Sequence, residues 1–339
     1  MKDSYFAQKY GQLYESIEGG KCEVYDFHHS AGTIRHIFIK REIQVTENGK
    51  AFFDIVTPFV YGGPIILSCK ENRKKELIKA FQKAFKYYCD ANNIICEVLH
   101  FHPGLSNADD FAGLYDMHQI GNTLGTNLVD CKDPFNEEFS ASCKKNIFEA
   151  LEKGVDYRVT AGPYNLRYFK DIYFSIADNK KEINNGLFNK EFLSSCFEIA
   201  RKNTIIVEAV YKGRTIGISV NLLFNNILQP HLAAALPEFE YLFPKHILHY
   251  GLTDWGKKNG MDMIHNGAGN TIGEEDALYL FKKQFGSLKL KYLIGKKVWN
   301  EGIYENLCKA VGVGVDAEYF PAYRIGEELV GEEGVSVEN

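Results

Sequence analysis

Several absences narrow the field before any motif is weighed. None of the eight cysteines, at positions 22, 69, 89, 96, 131, 143, 196 and 308, forms a C-x-x-C pair, which argues against a zinc ribbon. Several sit in apolar runs, Cys96 within Ile94–Leu99 for example, and read as small core residues. There is no G-x-S-x-G, H-E-x-x-H or GK[ST] signature. A covalent serine mechanism, a zinc-protease centre and a P-loop therefore have no support. The opening MKDSYFAQKYGQLYES lacks the apolar segment of a signal peptide, and no apolar run reaches the length of a membrane span. The expectation is a cytoplasmic, reducing location, with peripheral membrane contact left open. An excess of positive charge is missing too: the net charge is −5, which argues against a surface that grips nucleic acid all round. A local basic patch remains compatible with it. No tandem repeat or low-complexity segment is present.

What is present points to a folded, two-domain chain. A length of 339 residues suggests two domains, and 45% hydrophobic against 24% charged residues supplies two cores of ordinary composition. The 24 Phe and 20 Tyr are accounted for mainly by aromatic packing.

The densest signal lies between His231 and Gly286. Pro244 suits a first helical turn, and Ile247, Leu248, Leu252 and Trp255 follow on one face. Gly260 suits a helix stop. Met261–His265 reads as a strand, Asn266–Asn270 as a turn, and Glu274, Glu275 and Asp276 as the start of a second helix. Leu278, Phe281 and Phe285 form its apolar side. Lys282 stands at the flank of that side, while Lys283 faces water. Spacing alone lets Lys282 either snorkel outward or aim its ammonium into a cleft.

Earlier in the chain, Cys22–Asp26, Thr33–Arg41, Phe52–Val56 and Ile94–Leu99 read as strands, and Asn72–Asn92 as a helix buried through Leu77, Phe81 and Phe85. The lysines of that helix read as a solvated face. Thr57-Pro58-Phe59-Val60-Tyr61-Gly62-Gly63-Pro64 is a rigid turn. His100 and His102, two apart on a strand, share a face, but no third metal ligand is visible and no metal site is assigned. Met117–Gly121 and Thr126–Val129 read as two short strands around a turn. Helices are expected at Ser140–Lys153, Leu166–Ile176, Phe192–Ala200 and Tyr304–Val311. Strands are expected at Ile205–Tyr211, Thr215–Leu223, Ile227–Ala235, Leu288–Tyr292 and Tyr319–Tyr323. Glu327–Asn339 is expected to fray.

The order strand, L-P, helix, W-x-x-x-x-G, strand, G-x-G, D-x-L-x-x-FK-x-x-FG resembles the C-terminal half of the Fem-type aminoacyltransferases of the acetyltransferase-like (GNAT) superfamily. The FK-x-x-F piece is here Phe281-Lys282-Lys283-Gln284-Phe285. Lys144-Lys145-Asn146-Ile147, followed by Ala150 and Gly154-Val155, and the T-P-F-V-Y-G-G-P run, carry further parts of the likeness. It extends over roughly residues 20–325. It implies an α+β fold of two tandem GNAT-like domains with mixed sheets and a cleft between them. The first would span 1–131, with 305–330 returning to it, and the second 132–304.

It also implies an acyltransferase that forms an amide bond, with aminoacyl-tRNA as donor and a peptidoglycan or other cell-envelope precursor, nucleotide- or lipid-linked, as acceptor. Phe281 and Lys282 would lie at the acyl-transfer centre, the lysine stabilising charge. Lys144 and Lys145, beside Asn146, would approach acceptor phosphates, and two cations in a first helical turn run against the helix dipole unless an anion is near. As lysines they would hold phosphate as point charges. Tyr61, His231 and Tyr241 would line the acceptor site. The [QR]-x-x-G-x-[GA] loop with which acetyltransferases cradle coenzyme A is absent: His231–Glu238 reads HLAAALPE, with an acid where the phosphates would lie. No cofactor is therefore firmly implied. Two other readings stay open: a GNAT-type N-acyltransferase using acyl-CoA on a sugar, amine or natural-product precursor, and a non-catalytic module that binds envelope precursors.

Overall fold

The computed structural model describes residues 8–44, 49–58, 61–163, 170–175, 195, 203–269 and 274–325. The chain divides into two compact units. One takes the described residues up to Ile120 together with those from Lys291 on, and the other takes Gly121–Leu290.

The first unit opens with two short helices, α1 (Gln8–Gln12) and α2 (Glu15–Glu18). A long hairpin of β1 (Gly20–His29) and β2 (Gly32–Glu42) follows, paired from Gly20↔Arg41 to His29↔Gly32. β2 also pairs antiparallel with β3 (Phe53–Val56) and β4 (Ile65–Cys69). Helix α3 (Lys74–Ala91) makes the crossover that lets β5 (Ile94–His100) run parallel to β3. Its apolar residues recur every four positions, and Leu77, Phe81, Phe85 and Cys89 are all fully buried. They pack with Ile34, Phe38, Ile55, Ile94 and Leu99 of the sheet. Truncating one of these phenylalanines to alanine is expected to cost about 3–5 kcal/mol. Helix α4 (Asn107–Phe111) caps the same core with Phe111.

The second unit takes up β6 (Asp116–Asn127) from Gly121. The sequence suggests two short strands and a turn here; the structure has one continuous strand. Gly121 and Gly125 sit in extended backbone; a Cβ on Gly125 would crowd the Met263 side chain, and Gly286, itself without a Cβ, lies against the Gly125 carbonyl. Next come α5 (Pro134–Glu138), α6 (Ala141–Glu152), β7 (Val155–Ala161), β8 (Thr204–Tyr211), β9 (Arg214–Phe224) and β10 (Ile227–Ala235). A 3-10 turn over Pro237–Leu242 leads to α7 (Pro244–Lys258), β11 (Met263–Gly267) and α8 (Ala277–Lys283). The strand order is β6-β11-β10-β9-β8-β7, parallel only between β11 and β10. Ile247, Leu248 and Leu252 of α7 and Cys143, Ile147 and Ala150 of α6 bury against Val207, Ile216, Leu228 and Phe285.

β12 (Leu288–Val298) returns the chain to the first unit, pairing with β5 from Ile294↔His100 to Val298↔Cys96, and α9 (Glu301–Ala310) follows. The strand expected at Tyr319–Tyr323 is not formed; a 3-10 turn occupies Ala322–Arg324. Pro321 has no N–H to give to a ladder. The polar ends of Tyr323 and Arg324 go instead to the buried Asp54, at 3.0 and 2.5 Å, which also holds Arg41 at 2.8 Å. Residues 170–175 are helical, within the helix expected at Leu166–Ile176. The remainder of that helix, nearly all of the one at Phe192–Ala200, and the C-terminal tail fall outside the described residues. Each unit thus has the α+β organisation and mixed sheet that the sequence suggests. No helix among the described residues is long and apolar enough to cross a membrane.

Candidate functional site in the second unit

β10 and β11 run side by side for only two register pairs, Ile227↔Met263 and Leu228↔Ile264. β10 then bulges between Pro230 and Leu232, at His231. β11 ends in a turn that places backbone polar groups beside the start of α8. Gly267 takes φ +80°, which only glycine adopts without strain, and a Cβ on Gly269 would overlap the Asp276 carboxylate. That carboxylate caps α8, accepting from the Tyr279 N–H at 2.9 Å.

Lys282 lies on α8 and does not snorkel. Its Nζ donates to the Ala268 carbonyl at 2.6 Å, and a Cβ on Gly267 would stand 3.5 Å from it. Burial pulls the ammonium down from 10.5 to about 8, with the Asp276 charge opposing the fall. The amine is thus a cation held in a poorly solvated place, where its field is strong.

The neighbouring Phe281 packs edge-on against His246 and Phe285, with ring centroids 5.4 and 5.1 Å away. Phe285 is fully buried, and its carbonyl accepts from the Thr126 hydroxyl at 2.7 Å. His249 lies along Phe285 with centroids 4.0 Å apart and 30° between planes. Burial pushes His249 down to about 3, the charges of His246 and Lys282 adding to it and Asn266 opposing it, so the imidazole is neutral. Its Nε2 and the Asn266 Oδ1 are both buried, and neither completes a hydrogen bond. Asn266 donates to the Thr126 hydroxyl at 3.1 Å. His246 is also lowered by burial, and Asn146 Nδ2 donates to its Nε2 at 3.3 Å. Lys282, Phe281 and Asn146 are therefore drawn around one aromatic and imidazole cluster.

The other residues singled out from sequence go elsewhere. Lys144 donates to the Asn136 carbonyl at 3.0 Å, so a backbone oxygen, not a phosphate, offsets its place in the first turn of α6. Lys145 is exposed, and both lysines line a shallow surface depression with Phe148, Glu149 and Glu152. The two glutamates oppose an anion there. Tyr241 is 58% exposed, with Lys153 Nζ 5.7 Å over its ring. His231 is pushed down to about 4 by burial, so it too is neutral. Leu236 N–H bonds the Ile216 carbonyl, and Glu238 pairs with Arg214 at 3.3 Å. This stretch offers a carboxylate, not a phosphate cradle.

Tyr61 belongs to the first unit and is 4% exposed. It packs edge-on against His102 and Tyr292, with centroids 5.1 and 5.3 Å away. Tyr292 shares a 2.8 Å hydrogen bond with His100 Nδ1, and burial holds His100 down at about 4. His102 Nδ1 accepts from the Gly104 N–H. Among the described residues no group of three or more His, Cys, Asp and Glu is placed to hold a metal. His246, His249, Asn266 and Thr126 were not singled out from sequence. The i, i+3 histidine pair on α7 is the one local signal that points to them.

This architecture is similar to that of FemX. The match to that crystal structure has a TM-score of 0.61 at 10% sequence identity, covering 88% of this chain and 92% of FemX. L-PGS from Bacillus licheniformis matches with a TM-score of 0.51 at 12% identity, covering 88% of this chain and 94% of that one. A C-terminal domain from Agrobacterium fabrum, assigned to a lysylphosphatidylglycerol synthetase, gives 0.53 at 10% identity over 89% of each chain. No protein-family model matches the sequence, and no curated protein matches it significantly. The fold is thus similar to that of FemX, as the motif order suggests.

Proposed function

We propose that the chain is an acyltransferase that forms an amide bond, with Lys282 as the cation at the reacting carbonyl. The inward-turned, poorly solvated ammonium of Lys282 carries this reading. An acceptor amine attacks an activated ester carbonyl, the C–N bond forms, the ester C–O bond breaks, and the amine gives up a proton. The oxygen that gathers negative charge on the way gains most from a cation already fixed in a low-dielectric place. Phe281, packed against His246 and Phe285, stands beside Lys282 on the same helix.

An aminoacyl-tRNA donor is the finer reading. It is supported by the shared fold with FemX and with a lysylphosphatidylglycerol synthetase domain, whose name describes the joining of lysine to phosphatidylglycerol. The carboxylate after β10 also supports an ester donor over coenzyme A. A cell-envelope precursor, nucleotide- or lipid-linked, is the proposed acceptor.

The test mixes the protein with charged tRNA pools or acyl-CoA and with candidate acceptor amines, and reads amide products by mass spectrometry. An aminoacyl product that falls by about 10²–10³-fold in Lys282→Met supports the reading. Product formation by Lys282→Met at the parent rate removes the assigned role of this lysine. Product from acyl-CoA alone overturns the tRNA-dependent reading.

A further inference from the structure

Helix α3 of the first unit buries Leu77, Phe81, Phe85 and Cys89, and its opposite face carries Lys75, Lys79, Lys83 and Tyr87 in one line. All four are exposed, Tyr87 at 64%. Their spacing of four residues makes a stripe about 18 Å long at 1.5 Å per residue. Three acids near the stripe are held by other cations: Glu76 by Arg73 at 2.5 Å, Asp90 by Lys86, and Asp110 by Lys74 at 2.6 Å. Lys75, Lys79 and Lys83 have no acidic partner among the described residues. Like charges four apart on a helix repel. They are concentrated here on a protein whose net charge is −5. A solvated face would serve equally well with mixed charges.

We propose that this face of α3 is a docking surface for an anionic lipid bilayer. The stripe runs along one face of a single helix, so a planar headgroup layer can meet all four side chains at once. Its cations are all lysines, point charges suited to a diffuse negative surface; the arginine fork suited to bidentate phosphate contacts is absent from the line. An exposed tyrosine at the end of the line suits the headgroup level, where one end of the ring is apolar and the other wet. The net negative charge of the whole protein favours one-face contact with a plane over a polyanion that wraps. The inference concerns the first unit alone and stands whatever reaction the second carries.

The test is co-sedimentation of the full chain with vesicles of phosphatidylcholine alone and of phosphatidylcholine mixed with phosphatidylglycerol, at low and high salt. Duplex RNA binding is followed in parallel by fluorescence anisotropy. The chain should bind the anionic vesicles only, and salt should release it. The triple variant K75Q/K79Q/K83Q should bind them about a hundredfold more weakly, from the typical contribution of a lysine near such a surface. A control triple, K212Q/K258Q/K309Q, removes the same charge from other exposed sites and should bind as the parent does. Matching circular dichroism melts show that the folds are intact. The proposal is overturned if the parent does not bind, if the α3 triple binds as tightly as the parent, or if the control triple loses as much. It is also overturned if the parent prefers RNA and the α3 triple loses that binding, which would make the stripe a nucleic-acid surface.

Discussion

Replacing Lys282 by methionine is expected to make the protein more stable at neutral pH while removing its activity. Methionine keeps the aliphatic stem and deletes the charge. The drop of the ammonium from 10.5 to about 8 measures how much the folded state disfavours the charged form. At about 1.4 kcal/mol per unit, that is about 3 kcal/mol. Against it stands the loss of the hydrogen bond to the Ala268 carbonyl, which is half-buried and recovers part of its bonding from water. The expected net gain is about 1–2 kcal/mol at pH 7. Its pH dependence is the sharper part. The lowered pKa means that the unfolded chain holds a proton between pH 8 and 10.5 that the folded chain has released. Wild-type stability should therefore rise with pH, relative to the variant, across that window, and the gap between them should close. Urea unfolding of both proteins at pH 7 and at several values up to pH 10 measures this. A variant less stable than wild type at pH 7, or a gap that stays constant with pH, would refute the picture of a desolvated cation.

Four further outcomes follow. Asp276→Ala removes the cap of α8 and should cost about 1 kcal/mol in urea unfolding; because the Asp276 charge holds the Lys282 amine up, its loss should also move the alkaline fall of the pH–rate profile below 8. Gly269→Ala places a Cβ into the Asp276 carboxylate and should cost about 1–3 kcal/mol, with Asp276→Ala in the same chain relieving much of it, read by a double-mutant cycle. Asp54→Asn leaves Arg41 and Arg324 without their shared buried counter-charge and should cost about 3–5 kcal/mol by thermal or urea unfolding. His249→Phe, which ends the burial of an unpartnered Nε2 while keeping the ring on Phe285, should leave stability unchanged or raised by up to about 1 kcal/mol, measured by urea unfolding.

The elements that read clearly from sequence are those whose partners are local or whose pattern is strict. Helix α3 shows its buried face at every fourth residue, and the β8–β9 hairpin shows its turn at Lys212-Gly213, both at positive φ. The single strand β6 does not read as one because glycine there signals a turn, whereas Gly125 leaves room for the Met263 side chain, 138 positions on. The strand expected at Tyr319–Tyr323 is rich in aromatics, but the decisive force is a carboxylate at Asp54, 270 residues away from Arg324. At the site, the position of Lys282 on the flank of the apolar stripe is legible, while its direction is not. That direction depends on the Ala268 carbonyl, which only the turn after β11 presents. His246 and His249 show no more in sequence than their i, i+3 spacing, because their meaning is a contact with Phe285, in the turn after α8.

The first unit is written in two pieces, with β12, α9 and the Arg324 clasp encoded after everything in the second. On a ribosome adding roughly 5–20 residues per second, β5 emerges with one edge still waiting for a partner strand that arrives on the order of ten seconds later or more. Meanwhile the middle of the gene can finish its own core. The order of birth is therefore the reverse of the order of completion, and nascent chains stalled before the last few dozen codons should hold a finished second unit while the first stays open and chaperone-attracting.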